Sequence, residues 1–166
     1  HWYRDQLPDR PDFDRLSAMA GQIEPGAGGL KLRTDVALGD AQLISVFEGM
    51  TPRHTRGHAV RCIMEAVAWA LGDQVAALSR GTLPAEIRST GGAARSDVWL
   101  QIKADVLGVA VTATECPEPT SLGAAILAEA ALGQTDVRRV ARQWVRLKSP
   151  HLPDAPRHQL YQTLRY

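Results

Sequence analysis

The stretch TGGAARSDVWLQIKADVLG, residues 90–108, is preceded by the β-like run EIRS and followed by VAVTAT, so that strand, Gly-Gly turn, helix and strand succeed one another within thirty residues or so. Val98, Trp99, Ile102 and Val106 recur at helical spacing after the turn, and VAVTAT at 109–114 is rich in β-branched residues. A strand, a crossover helix and a second strand predict parallel pairing and an α/β layer, not a helical bundle. Gly91 and Gly92 then place bare backbone at the carboxyl edge of a sheet, beside the free N–H groups of a helix start, a position suited to an anionic or nucleotide ligand. Taken alone the motif is neither GxGxxG nor GxxxxGK[ST], and two glycines at a strand-helix junction are usually only a tight turn.

Working outward, residues 120–132 read as an alanine-rich helix, and the tail as a short helix, a loop and a closing helix around Pro150, Pro153 and Pro156. Upstream, residues 55–78 form the longest predicted helix, with Val60, Ile63, Met64, Val67, Leu71, Val75 and Leu78 as its apolar stripe. Residues 12–23 carry Phe13, Leu16, Met19 and Ala20 at helical spacing and stop at the turn PGAGG, residues 25–29. LKLRTDV from Leu30 and QLISVFEGM from Gln42 read as an antiparallel pair joined near Leu38-Gly39-Asp40.

The 166 residues suit one folding unit. Hydrophobic content of 45%, charged content of 22% and a net charge of +1 nominate neither nucleic acid nor membrane, and no apolar run approaches the length of a span, so a cytoplasmic location is expected. Cys62 and Cys116 form neither a disulfide framework nor a metal spacing, and His54 and His58, at i, i+4, lack a third ligand in any recognisable pattern. Core packing is expected of Trp69, Trp99 and Trp144, a solvated helix start of Arg53, Arg56 and Arg61, and a helix-capping role of Glu118 before Thr120.

The block at 90–108, taken with ECPEPTSLGAAILAEAALG at 115–133, resembles the C-terminal domain of the FGGY carbohydrate kinases. The matching positions are Gly91, Gly92, Ser96, Trp99, Ala104-Asp105 and Gly108, then Glu118 with Thr120 to Ala125. GMTPRHTRGHAVRCIMEAVAWALGD, residues 49–73, resembles a further block of the family, with Ala66 where glycine is common; HWYRD at the start and LYQTLRY at the end also fit. The resemblance covers most of the chain. It implies a partial ribonuclease-H-like domain of the actin-like ATPase superfamily, a mixed sheet flanked by helices, and a xylulose-kinase-like branch. It also implies ATP and Mg²⁺ as cofactors, and a sugar or polyol held mostly by a domain absent here. Carried over, Gly92 lies against the nucleotide phosphates with Ala93 beside it, Gly91 permits that approach, Ser96 lies on the adenine side, and His1 occupies a nucleotide-contacting place before Trp2-Tyr3-Arg4-Asp5.

Two departures qualify the resemblance. The family's D-x-G-T and its catalytic G-D-Q-x-A-A do not precede Trp2, so residues 1–166 are expected to be most of a C-terminal domain without its first strands and without the sugar-binding domain. Such a piece is expected to lack catalytic residues and kinase activity, and to expose surface that favours self-association. Gly72 to Ala77 spells GDQVAA, but Asp73 continues the long helix and is expected to be a solvated residue, not a base. The G-E-R-x-P segment of many members is missing from LRTDVALGDAQLISVF. A non-catalytic interaction or regulatory module with the same fold is the alternative reading.

Overall fold

The computed structural model describes residues 1–33 and 46–164. Segment 34–45, with the expected strand join and the segment compared with G-E-R-x-P, lies outside the described residues, as do positions 165 and 166 of the closing block. The elements are α1 (Trp2–Asp5), α2 (Phe13–Gly21), β1 (Lys31–Leu32), β2 (Phe47–Glu48), α3 (Arg56–Leu78), β3 (Glu86–Ser89), α4 (Asp97–Leu107), β4 (Ala110–Ala113), α5 (Pro119–Leu132), α6 (Val137–Trp144) and α7 (Ala155–Leu164).

β3 and β4 pair in parallel, with Ile87 opposite Val111 and Ser89 opposite Ala113, and α4 crosses between them as the strand-helix-strand pattern requires. On its other side β4 meets the tail in antiparallel bridges, Val111 with His151 and Thr114 with Leu147, so the pairing around this strand is mixed. β1 and β2 form the expected antiparallel pair as a separate two-stranded sheet.

The main core gathers Leu16 and Ala20 of α2, Val60, Met64 and Ala68 of α3, Ile102 and Val106 of α4, and Tyr161 of α7. A second cluster, Leu100, Ala104, Val111 and Ala113 with Ile87, cements α4 onto the parallel strands. Ile126, Ala130 and Val140 join α5 to α6.

The long helix departs from its predicted stripe. Val60 and Met64 are buried, whereas Val67 is 42% and Leu78 87% exposed. Burial shifts to Ala59, Cys62, Glu65 and Ala68 in the first half, where α2 and α4 both pack, and the last turns run beyond that cover. Arg61 also corrects the expectation of a solvated helix start. It is buried, its Nε donates to Glu65 Oε1 at 2.6 Å, and its Nη2 donates to the Tyr161 hydroxyl at 2.6 Å. That hydroxyl donates in turn to Glu65 Oε1 at 2.7 Å, and the Gly26 N–H donates to the same oxygen at 3.1 Å. Burial opposes the Arg61 charge, but Tyr161 and Glu65 outweigh it and raise the pKa; burial and the Glu65 charge push the Tyr161 hydroxyl up. Arg56 stays at the surface, paired with Asp9 at 2.8 Å.

Other expectations resolve as follows. Trp144 is 41% exposed and does not pack into the core as expected, because α6 meets α5 through Val140 and Ala141 and leaves Trp144 off that face, while Trp69 packs edge-on to Tyr161, ring centroids 5.9 Å apart. α5 starts one residue earlier than expected, with Pro119 at its first position, where a missing N–H costs nothing; Glu118 sits at the cap position without a side-chain cap bond. His54 and His58 hold turns: their Nδ1 atoms accept from the N–H of Thr51 and Thr55 at 3.0 and 3.1 Å, and His58 forms a capping box with Thr55 at the start of α3. Cys62 and Cys116 are free thiols; burial pushes the Cys62 thiol up to about 12. No helix among the described residues is long and apolar enough to cross a membrane.

Candidate functional site at the glycine turn

Gly91 has φ 78° and ψ −167°, a combination only glycine adopts readily, and it swings the chain from the end of β3 into a short 3₁₀ turn, Gly92–Arg95. Ser96 then caps α4: its Oγ accepts from the Trp99 N–H at 3.1 Å. A Cβ added to Gly92 meets no atom within 4 Å, so this backbone faces open space.

That space is a cleft of about 630 Å³, inside the range usual for small-molecule sites. One wall comes from Gly92, Ala93, Arg95, Ser96 and Trp99; α2 supplies Phe13, Leu16 and Ser17; α3 supplies Val60, Ile63 and Met64; His1, Tyr3 and Arg4 close the end. His1, Gly92, Ala93 and Ser96, named from sequence at positions more than ninety residues apart, thus line one cleft, while Gly91 shapes the turn without lining it. His1 packs edge-on to Phe13, centroids 4.9 Å apart, and the Arg4 guanidinium lies 4.8 Å from the Phe13 centroid.

The walls are mainly apolar and aromatic, and the polar groups are few. Ser17 Oγ and Ser96 Oγ are hydrogen-bonded across the α2–α4 junction. Arg95 and Arg4 bring positive charge, Arg4 being paired with Asp5 at 2.9 Å, and Asp12 and Asp14 bring negative charge at the start of α2, where the Asp12 carboxylate accepts from the Arg15 N–H. Behind the Trp99 wall, Lys103 lies 4.7 Å from the indole centroid, its Nζ donates to Ser89 Oγ at 3.2 Å, and burial lowers its pKa. Asp73 is exposed in the interior of α3, as expected of the GDQVAA decoy, and the smaller pocket it lines, about 220 Å³, shares no residue with the cleft. Among the described residues no three His, Cys, Asp or Glu side chains converge as a metal site.

Sequence reasoning did not single out Ser17, Phe13 or Tyr3 as cleft residues. The signal for Ser17 was present: Ser17 and Gly21 stand at i, i+4 on α2, and two small residues on one face let another helix approach, here Val98 of α4, whose Cγ2 lies 3.1 Å from a Cβ placed on Gly21.

The Asp105 and Gly108 positions serve the frame. Buried Asp105 Oδ1 accepts from Gln101 Nε2 and from the Asp154 N–H, both at 2.8 Å, and Arg157 lies 3.3 Å from Oδ2. Gly108 ends α4 at φ 68°, and a Cβ there falls 2.5 Å from the His158 ring. These contacts anchor the tail behind the glycine turn.

Residues 34–132 match the family model described as the FGGY family of carbohydrate kinases, C-terminal domain. A glycerol kinase from Geobacter sp. (strain M21) is 34% identical over 149 residues, 86% of this chain and 30% of that protein. The crystal structure of xylulose kinase from Rhodospirillum rubrum superposes with a TM-score of 0.77 at 31% identity, over 98% of this chain and 34% of that one. Plasmodium falciparum glycerol kinase, solved with ADP, shares the fold at a TM-score of 0.72 and 21% identity, over 96% of this chain and 33% of that one. The chain therefore spans about a third of the length of the relatives it matches. With the strand-turn-helix unit, the parallel pair and the matched blocks in agreement, this chain belongs to the FGGY family of carbohydrate kinases, in its C-terminal domain.

Proposed function

We propose that the chain is most of the nucleotide-binding domain of an ATP-dependent sugar or polyol kinase, and that the cleft at the glycine turn takes the nucleotide. The observation that carries this reading is the convergence of His1, Gly92, Ala93 and Ser96 on one cleft beside an unobstructed glycine backbone. The Gly92 and Ala93 main chain lies against the phosphates, Arg95 and Arg4 offset their charge, Ser96 stands toward the base, His1 contacts the nucleotide, and the apolar walls exclude water from it. The relative solved with ADP points the same way.

Phosphoryl transfer depends mainly on positioning and electrostatic stabilisation, and a Mg²⁺ brought with the nucleotide would supply part of the charge neutralisation. The acceptor hydroxyl also needs a base within hydrogen-bond reach. In this reading the base and the sugar contacts come from outside these 166 residues, and the isolated chain is inactive; sugar phosphorylation by it would overturn that part. The rest of the parent protein covers the edge of β3 that pairs with no strand among the described residues, and the outer face of α5, where Leu127 is 62% and Leu132 85% exposed.

The test is calorimetric titration of ADP into the protein and its Gly92→Val variant. The added side chain enters open space in the unliganded fold, so thermal stability is expected to stay unchanged while affinity falls at least about tenfold by exclusion of the phosphates. Unchanged affinity in a folded variant refutes the placement.

A further inference from the structure

We infer that the Ser17–Ser96 hydroxyl pair is the base-reading element of the cleft, donating one hydrogen bond to an unprotonated ring nitrogen of a purine nucleotide, with Ser17 as a specificity-determining residue. The inference rests on the nucleotide reading above and names what that reading leaves open.

Two hydroxyls carry two hydrogens, and their mutual bond uses one. The Trp99 N–H fills one acceptor position on Ser96. If Ser96 donates to Ser17, the Ser17 hydrogen is left over; if Ser17 donates to Ser96, the Ser96 hydrogen is left over. Either order leaves one O–H donor with no acceptor among the described residues. Ser17 does not turn back onto its own helix carbonyl, as Ser79 does onto Val75 at 2.6 Å.

The pair is also built in place. Ser17 is only 7% exposed, both serines line the cleft, and the cap bond to Trp99 fixes the Ser96 rotamer. The spare donor is fixed in place before a ligand arrives, and a ligand that supplies its acceptor exchanges a bond to water for one of set geometry. The neighbouring walls, Leu16, Val60, Met64 and the Trp99 indole, suit a flat aromatic ring held edge-on to the hydroxyls. A phosphate is excluded as the acceptor here by this apolar surround; it belongs at the glycine backbone.

The experiment uses the protein with ATP, the 1-deaza, 3-deaza and 7-deaza analogues of ATP, each lacking one ring nitrogen, and inorganic tripolyphosphate. One analogue is expected to bind wild type about three- to tenfold more weakly than ATP, the worth of one neutral hydrogen bond. Ser17→Ala alone leaves the Ser96 hydrogen able to donate, so the variant used is the double one, Ser17→Ala with Ser96→Ala: in it ATP is expected to weaken by the same factor, that analogue to weaken no further, and tripolyphosphate to bind unchanged. Equal binding of ATP and all three analogues to wild type overturns the inference while leaving the nucleotide site intact. An equal loss for ATP and tripolyphosphate in the double variant overturns it too, because the effect is then not on the base. If wild type binds none of the nucleotides, the nucleotide reading itself fails. The analogue series on wild type needs no variant to fold.

Discussion

Replacing Glu65 by alanine leaves the Arg61 guanidinium, 5% exposed, without its carboxylate, and removes the single oxygen that accepts from Arg61, Tyr161 and the Gly26 N–H together. Breaking one side of a buried pair costs about 3–5 kcal/mol, since the remaining charge is uncompensated. Against a total stability of about 5–15 kcal/mol this is a large share, and for a chain of this size it lowers Tm by about 6–20 °C. Urea unfolding followed by circular dichroism measures it. The second arm is the double variant Arg61→Met, Glu65→Leu, in which no charge is stranded; apolar replacement of a buried pair is often near neutral, so it is expected to recover most of the loss. A Glu65→Ala cost under about 1 kcal/mol, or a double variant as unstable as the two single losses added, refutes the account of this trio as a coupled unit.

Stability is expected to fall as pH rises from about 9 toward 12, because Cys62, pushed up to about 12 from 9.0, and Tyr161, also raised, stay protonated in the fold while the unfolded chain ionises first; it is fully present below that window, and thermal melts across it check the sign. Native alkylation with iodoacetamide near pH 8 is expected to modify Cys116 and spare Cys62 until urea is added, which intact mass reads directly. Gly108→Ala, which combines positive φ with a Cβ 2.5 Å from the His158 ring, is expected to cost about 1–3 kcal/mol in chemical unfolding. Self-association of the isolated chain, seen by light scattering, is expected to drop in Leu127→Glu with Leu132→Glu; a monodisperse monomer before substitution contradicts the exposed-face argument.

What the sequence made legible was local. The unit from β3 through the Gly-Gly turn to β4 was readable because its steps carry their own signals, a glycine pair that breaks the chain direction, helical periodicity after it, and the β-branched run VAVTAT that closes the unit. Arg61 was misread because a helix start rich in arginine looks solvated; nothing local tells that a tyrosine a hundred positions on will reach it. Trp144 was misread for the opposite reason, since an indole on an amphipathic helix looks like core until the packed face is known to run through Val140, Ala141 and Val145 and to miss it. In the cleft, His1 and the turn came from matched motifs, whereas Ser17 depends on how closely α2 and α4 cross, a tertiary fact hinted at only by the small residues on that face.

The bond from Tyr161 to Glu65 joins residues 96 positions apart. At ribosomal speeds of about 5–20 residues per second, Glu65 and Arg61 wait roughly 5–20 s before their third member is even made. During that interval α3 carries an ion pair open to water and a first-half face without its α7 cover. Assembly of this unit is thus timed by its tail: vectorial synthesis cannot complete the core early, and a nascent chain stalled before Pro156 is exposed to proteases and chaperones in a way the finished chain is not.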